Sequence, residues 1–228
     1  MSYFLYGQDS FRAKEKLAQI KEKYLSEVDQ AGSSLAEIDA ARASARELSE
    51  ITGTSSLFAK KRLTIVSNLS QNTREESTRE TWRLIKRDRQ SGGSGDILIF
   101  IDEIAEGGIK KLKATARTIF EELAKEKYAQ EFKPLTGRQL LDWIDKRFQS
   151  LGMRADTAAA KKLADDSSGD LWKLSRQINQ LAGYSREKGE VGKKDVEEFL
   201  QDSFDADIFA LTDALGRKDR SGSVRLLE

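Results

Sequence analysis

Two stretches carry residue types able to do phosphate chemistry. The first is Gly7-Gln8-Asp9-Ser10-Phe11-Arg12-Ala13-Lys14, which follows the short apolar run Tyr3-Phe4-Leu5-Tyr6 and opens a helical pattern. A phosphate cradle at such a place reads Gly-x-x-x-x-Gly-Lys-Ser/Thr. Its glycines let backbone N–H groups wrap the phosphates, and its Lys and hydroxyl meet the γ-phosphate and magnesium. Here the second Gly and the Lys-Ser/Thr pair are missing, and Asp9 would repel a phosphate. The second stretch is Ile97-Leu98-Ile99-Phe100-Ile101-Asp102-Glu103. It matches a Walker B strand, whose two acids would hold magnesium and orient water. Without a cradle, the two acids read instead as the start of a solvated loop.

Composition removes other chemistries. The chain has 228 residues, with no Cys and no His. Disulfides, thiolate zinc sites, Ser-His and Cys-His nucleophiles and His-bound metals are therefore excluded. Lys and Arg number 39 against 38 Asp and Glu, so the formal net charge is +1 and any nucleic-acid contact must come from a local patch. Met1 to Lys14 contains charges and no long apolar run, which predicts no signal peptide. No apolar stretch reaches the roughly 18 residues of a membrane span, and the expected location is cytoplasmic.

The elements that must position these residues alternate. Strands are expected at Tyr3–Tyr6, Ser33–Ile38, Arg62–Val66, Asp96–Ile101 and Tyr128–Phe132. Asp9 or Ser10 caps a first helix with Phe11, Leu17, Ile20 and Leu25; Arg42–Ile51 reads as a second. Asn72 and Glu75 form a capping box for a polar helix with Trp82 and Ile85, followed by the loop Ser91–Gly95. A helix from about Lys110 to Lys125 sets Leu112, Ala116, Ile119 and Leu123 on one face. The continuous apolar run of Ile97–Ile101 implies burial on both faces, as in a parallel sheet. Five strands alternating with four helices predict an α/β domain over residues 1–133.

Beyond Pro134, the only proline, the pattern is helical. Thr136 and Gln139 form a capping box, Asp156 caps a second helix, Leu171, Leu174, Ile178 and Leu181 mark a third, and Lys193–Leu200 a fourth. This predicts a small helical domain over 134–203. Two further helical patterns, from Asp205 and near Arg220, predict the start of a third domain over 204–228.

Between the second helix and third strand lies Ser56-Leu57-Phe58-Ala59-Lys60-Lys61-Arg62. Leu57 and Phe58 either tuck into the core beneath the strand or project as an apolar plug rimmed by charge. Lys110, Lys111 and Lys113 start a helix, where cations oppose the dipole; a solvated face is the plainer reading there and at Lys60-Lys61-Arg62. Asp165-Asp166 reads as ordinary helix-surface charge.

The Leu57-Phe58 segment resembles the clamp-binding segment of the delta subunit of the bacterial DNA polymerase III clamp loader. Tyr3-Phe4-Leu5-Tyr6-Gly7-Gln8-Asp9-Ser10-Phe11, Phe132-Lys133-Pro134-Leu135 running into Leu140-Leu141-Asp142-Trp143-Ile144, Gly169-Asp170-Leu171 and Asp207-Ile208-Phe209-Ala210-Leu211 extend the resemblance in order along the chain. It implies an AAA+-like five-stranded parallel sheet with helices on both faces, a helical lid, and the beginning of a helical collar. It implies a non-catalytic subunit of a DNA-directed DNA polymerase complex, without a cofactor, that binds and opens the sliding clamp. Leu57 and Phe58 would enter a clamp pocket, with Ser56, Lys60 and Lys61 around them. Burying two such side chains contributes on the order of 3–6 kcal/mol, roughly 10²–10⁴-fold in affinity. Other implied partners are the ATPase subunits and delta prime through the collar, and DNA indirectly through the complex. In active AAA+ proteins a sensor Arg follows Gly-x-Leu; Trp172 stands there, with packing as its expected role. The alternatives are an ATP-hydrolysing AAA+ loader subunit or a DNA-binding module using the lid and the Lys110 cluster.

Overall fold

The computed structural model describes residues 1–44, 46–47, 61–71, 78–79, 82–83, 86, 96–105, 107–201 and 216–218. The chain divides into two compact units, Met1–Pro134 and Leu135–Glu228.

In the first unit, strands β1 (Ser2–Gly7), β2 (Leu35–Asp39), β3 (Leu63–Ser67), β4 (Ile97–Glu103) and β5 (Tyr128–Phe132) form one sheet in the order β2-β3-β4-β1-β5. Every neighbouring pair is parallel. The apolar run of β4 has the burial its sequence implies, because each face of the sheet is covered. Ile97, Ile99 and Ile101 pack with Leu5, Leu63, Ile65 and helix α1 (Ser10–Glu27). Leu98 and Phe100, one residue out of phase, pack with Phe4, Val66, Trp82 and helix α3 (Ala114–Leu123). The period of two thus assigns alternate residues of one strand to two separate cores. Trp82 closes the second core: its ring meets Phe100 edge-on at 6.0 Å, and its Nε1–H donates to Glu122 at 3.0 Å.

Local chemistry moved several boundaries. The second strand begins at Leu35 rather than Ser33, because Ser34 N–H is held by the Asp29 carboxylate at 2.6 Å before the ladder starts. The helix expected over 110–125 is two pieces, α2 (Gly108–Lys111) and α3, separated by extended backbone at Leu112 and Lys113. Arg117 stabilises that break by donating Nη2–H to the Lys110 carbonyl at 3.0 Å. Of the helix expected over Arg42–Ile51, Arg46 and Glu47 are helical, and of the polar helix after Asn72, residues 78–79, 82–83 and 86 are helical. The Asn72/Glu75 capping box and the Ser91–Gly95 loop lie outside the described residues.

The second unit contains α4 (Gly137–Ser150), α5 (Thr157–Ser167), α6 (Leu171–Tyr184) and a helix over 193–201, here α7. The two-residue strands β6 (Arg154–Ala155) and β7 (Glu190–Val191) pair in parallel. Leu140, Ile144, Phe148, Leu163, Leu171, Leu174, Ile178, Leu181 and Val196 are buried. Asp156 caps α5 as expected, accepting from Ala159 N–H at 2.6 Å. The expected Thr136/Gln139 capping box does not form. Gly137 enters α4 with φ of +53°, the Thr136 side chain makes no capping bond, and Gln139 N–H donates to the Thr136 backbone carbonyl instead. Of the expected third domain, only residues 216–218 are described. No described helix is long and apolar enough to cross a membrane.

Gly7 has φ of +134°, and a Cβ there would stand 2.3 Å from the Phe132 carbonyl oxygen. Gly7→Ala should therefore lose roughly 2–4 kcal/mol of stability in urea unfolding, from backbone strain and the forced parting of β1 and β5.

Candidate functional site

At the carboxyl end of β1 the chain supplies its own anion to the first turn of α1. Asp9 is the N-cap: its Oδ1 accepts from Arg12 N–H at 3.0 Å, and its Oδ2 pairs with Arg12 Nε at 2.5 Å. Asp9 N–H donates to the Phe132 carbonyl at 3.0 Å, and Arg12 Nη2–H donates to the Lys133 carbonyl at 2.5 Å. A helix N-terminus attracts anions through its unpaired N–H groups and dipole. Here a carboxylate held by a guanidinium already occupies that position, and both groups are tied to the end of β5.

The second acidic feature points elsewhere. Alternation along β4 places Asp102 on the sheet face opposite α1, with Phe100. Its carboxylate accepts from Ser70 N–H at 3.3 Å, in the 3₁₀ turn Leu69–Gln71, and it is 3% exposed. Burial raises its pKa to about 7, against the lowering effect of the Ser70 hydrogen bonds. Asp102 therefore joins β4 to the turn after β3. The expectation that both acids begin a solvated loop holds for Glu103, which is exposed, and fails for Asp102. What the sequence could not show was the turn donor that receives the buried carboxylate.

A cleft of about 650 Å³ runs between α1 and the carboxyl ends of β2, β3 and β4. Its walls carry Lys14 and the acids Glu37, Asp39, Asp102 and Glu103, so carboxyl groups outnumber cations there. Asn68 Nδ2–H donates to Asp39 at 3.1 Å. This balance disfavours a polyphosphate. Among the described residues, no group of acids is arranged to hold a metal ion.

Of the residues expected to contact a clamp, Ser56, Leu57, Phe58 and Lys60 lie outside the described residues. Lys61 is exposed, while Arg62 is buried, so the run of three cations is divided. The segment's return into β3 is anchored twice. Lys61 carbonyl accepts from the hydroxyl of buried Tyr24 at 2.8 Å, and Arg62 N–H donates to Asp96 at 2.9 Å. Neither Tyr24 nor Asp96 announces this role in the sequence, because each acts across more than thirty residues. These anchors stand at the amino end of β3, whereas Gly7 and Glu103 end their parallel strands at the opposite edge of the sheet.

In the second unit, Asp170 caps α6, accepting from Trp172 N–H at 2.8 Å and Lys173 N–H at 3.2 Å. Trp172 itself is 49% exposed, which corrects the packing role expected for it. Its neighbour Leu171 takes the buried position at the start of the helix. Asp165 is a surface charge, but Asp166 is not ordinary surface: it receives Lys173 Nζ and Gln177 Nε2, each at 2.9 Å, tying α5 to α6. Lys110 and Lys111 occupy the last turn of α2, where cations favour the dipole, while Lys113 is the N-cap of α3 and stands at a helix start as expected.

No family model matches the sequence, and no curated protein matches it. Solved structures do. The chain is similar to the Bacillus subtilis DNA clamp loader delta protein (YqeN), with a TM-score of 0.58 and 19% identity over 99% of this chain and 66% of that one. It is similar to Thermotoga maritima RuvB, the Holliday junction branch migration motor, with a TM-score of 0.59 and 13% identity over 87% and 61%. It is also similar to the Aeropyrum pernix ORC1 protein, solved in complex with DNA, with a TM-score of 0.52 and 15% identity over 88% and 59%. The fold is AAA+-like: a five-stranded parallel sheet with helices on both faces, followed by helices. The chain spans less than two thirds of the length of each of these structures.

Asp102 supplies a pH test, because a chain without His has few groups that titrate between about pH 5 and 8. Its folded pKa of about 7 lies above the unfolded 3.8. The folded state therefore holds the proton more tightly, and this contribution to stability is present below pH 4 and lost as pH rises to about 7. Urea unfolding should show the wild type losing roughly 2–3 kcal/mol between about pH 5 and pH 8. Asp102→Asn should flatten that slope; an equal slope would place the titration elsewhere.

Proposed function

We propose that this chain is a clamp-loader subunit of the delta type, which binds and opens a sliding clamp without binding ATP. The observation that carries the non-catalytic part is the first turn of α1, where the Asp9 carboxylate takes the position a phosphate would need. Similarity to the clamp loader delta protein over 99% of the chain supports the assignment within the AAA+-like fold.

The working parts lie at opposite edges of the sheet. At the carboxyl edge, Asp9 and Arg12 fill the phosphate position. At the amino edge, Tyr24 and Asp96 fix the return of the chain into β3. A segment whose return is rooted in this way can transmit force from the sheet to whatever its apolar residues grip. Leu57 and Phe58 are that grip, with Ser56, Lys60 and Lys61 beside them. Burying the pair in a clamp pocket biases the ring between its closed and open states. The ATP that drives the cycle belongs to other subunits of the complex, which this chain meets through a collar.

Titration against a cognate sliding clamp tests the reading. The wild type should bind, and Leu57→Ala/Phe58→Ala should weaken binding roughly 10²-fold or more while keeping its circular dichroism spectrum. Equal binding by both proteins would assign the pair to the core and remove the clamp-gripping role.

A further inference from the structure

We propose that helix α1 is a strut that fastens the root of the clamp-gripping segment to the place where the chain leaves the first unit, with Arg12 and Tyr24 as its end fastenings. This role rests on the delta-type reading and adds two positioning residues to it. Neither is a gripping residue: Tyr24 is 3% exposed, and Arg12 belongs to the carboxyl edge of the sheet. Topology dictates an oblique path for α1. In the order β2-β3-β4-β1-β5, the connection from β1 to β2 must pass over β4 and β3. It leaves the carboxyl end of one strand and enters the amino end of the other, so it also runs from one edge of the sheet to the opposite edge. The connection from β4 to β5 runs the other way across the sheet, and right-handedness accordingly sets α3 on the opposite face.

The body of the strut is continuous. α1 has 18 residues, roughly 27 Å of helix. Ala13, Leu17, Ile20 and Tyr24 recur at i, i+4, i+7 and i+11, and this stripe shares one core with Leu5, Leu63, Ile65, Ile99 and Phe132. Phe132 ends β5 and Leu63 begins β3, so the core beneath the stripe reaches from the carboxyl edge to the amino edge. A close-packed interior of this kind transmits strain rather than absorbing it.

Each end is fastened by a hydrogen bond that the helix itself does not require. At the amino end, Arg12 Nη2–H donates to the Lys133 carbonyl at 2.5 Å, and the guanidinium lies 5.9 Å from the centre of the Phe132 ring. α1 thus holds the last two residues before Pro134. At the other end, the Tyr24 hydroxyl donates to the Lys61 carbonyl at 2.8 Å and lies 3.4 Å from the Ser34 carbonyl. That Ser34 carbonyl also accepts from Leu63 N–H at 3.1 Å. Tyr24 therefore holds the entries of β2 and β3 together, and a displacement of the chain at Lys133 reaches Lys61 through one packed helix.

Hydrogen exchange of the whole chain, read at single amides by NMR, tests the strut, and titration against a cognate sliding clamp tests its use. Tyr24→Phe, which keeps the ring, and Arg12→Gln should each speed exchange of the Arg62 and Leu63 amides about threefold or more beyond any change at the Ile99 and Phe100 amides. A merely structural loss would speed all four equally. Each variant should bind the clamp about 3- to 10-fold more weakly. Tyr24→Phe/Arg12→Gln should bind no more weakly than the weaker single variant, because both changes interrupt one path. Lys21→Gln, which removes an ion pair with Glu37 from the same helix, should change neither readout. If Arg12→Gln loses its helical circular dichroism, Arg12→Lys carries the test, since an ammonium lacks the fork that meets both Asp9 and the Lys133 carbonyl. A wild type that does not bind the clamp removes the delta-type reading and the strut's clamp role with it. A wild type that binds, beside an Arg12→Gln variant unchanged in both readouts or a double variant whose losses multiply, overturns the strut alone.

Discussion

The carboxylate of Asp9, seated on Arg12 N–H and braced by the Arg12 guanidinium, determines what the carboxyl edge of this sheet can do. A helix N-terminus placed after the first strand of a parallel sheet is a ready anion site. Filling it with a side chain of the same protein converts a potential ligand site into a structural joint. That joint continues through Asp9 N–H and Arg12 Nη2–H to the carbonyls of Phe132 and Lys133, so β1, α1 and the end of β5 hold one another. The close approach of Gly7 to Phe132 belongs to the same joint, which leaves no space for a side chain at residue 7.

The rest of the first unit follows from two cores divided by one sheet. α1 covers one face, while Trp82 and α3 cover the other. Parallel strands send all their carboxyl ends to one edge and all their amino ends to the other. The joint at Asp9 therefore belongs to the carboxyl edge, and the root of the 52–62 segment belongs to the amino edge. In an ATP-hydrolysing protein the carboxyl edge would couple nucleotide to motion. Here the first turn of α1 is capped by the Asp9 carboxylate instead.

The sheet was legible in the sequence because its signals are long and consistent. The apolar run Ile97–Ile101 demanded two covered faces, and the alternation of strands and helices demanded parallel pairing. The departure from a phosphate cradle was legible for the same reason, since Asp9 and Arg12 are local to the motif. Less was legible where a long-range partner decides the outcome. Asp102 reads as a loop acid until Ser70 is brought beneath it, and nothing local to Lys61 shows that its carbonyl will be held by Tyr24. The break at Leu112 was hidden because Leu112 keeps the helical spacing of the apolar face, although it reaches the core from extended backbone. The packing role of Trp172 followed from its standing where a sensor Arg would be, and that position says nothing of burial: the helix turns Leu171 inward and leaves Trp172 half exposed.

The central claim is that the carboxyl edge is closed to nucleotide by the chain's own side chains. Isothermal titration of magnesium-ATP into the whole chain tests it most directly. The account predicts no saturable heat up to millimolar nucleotide, a ceiling that corresponds to binding weaker than about 4 kcal/mol. One-to-one binding at micromolar nucleotide would contradict it, because Asp9 would then have to yield its place on α1 to a phosphate.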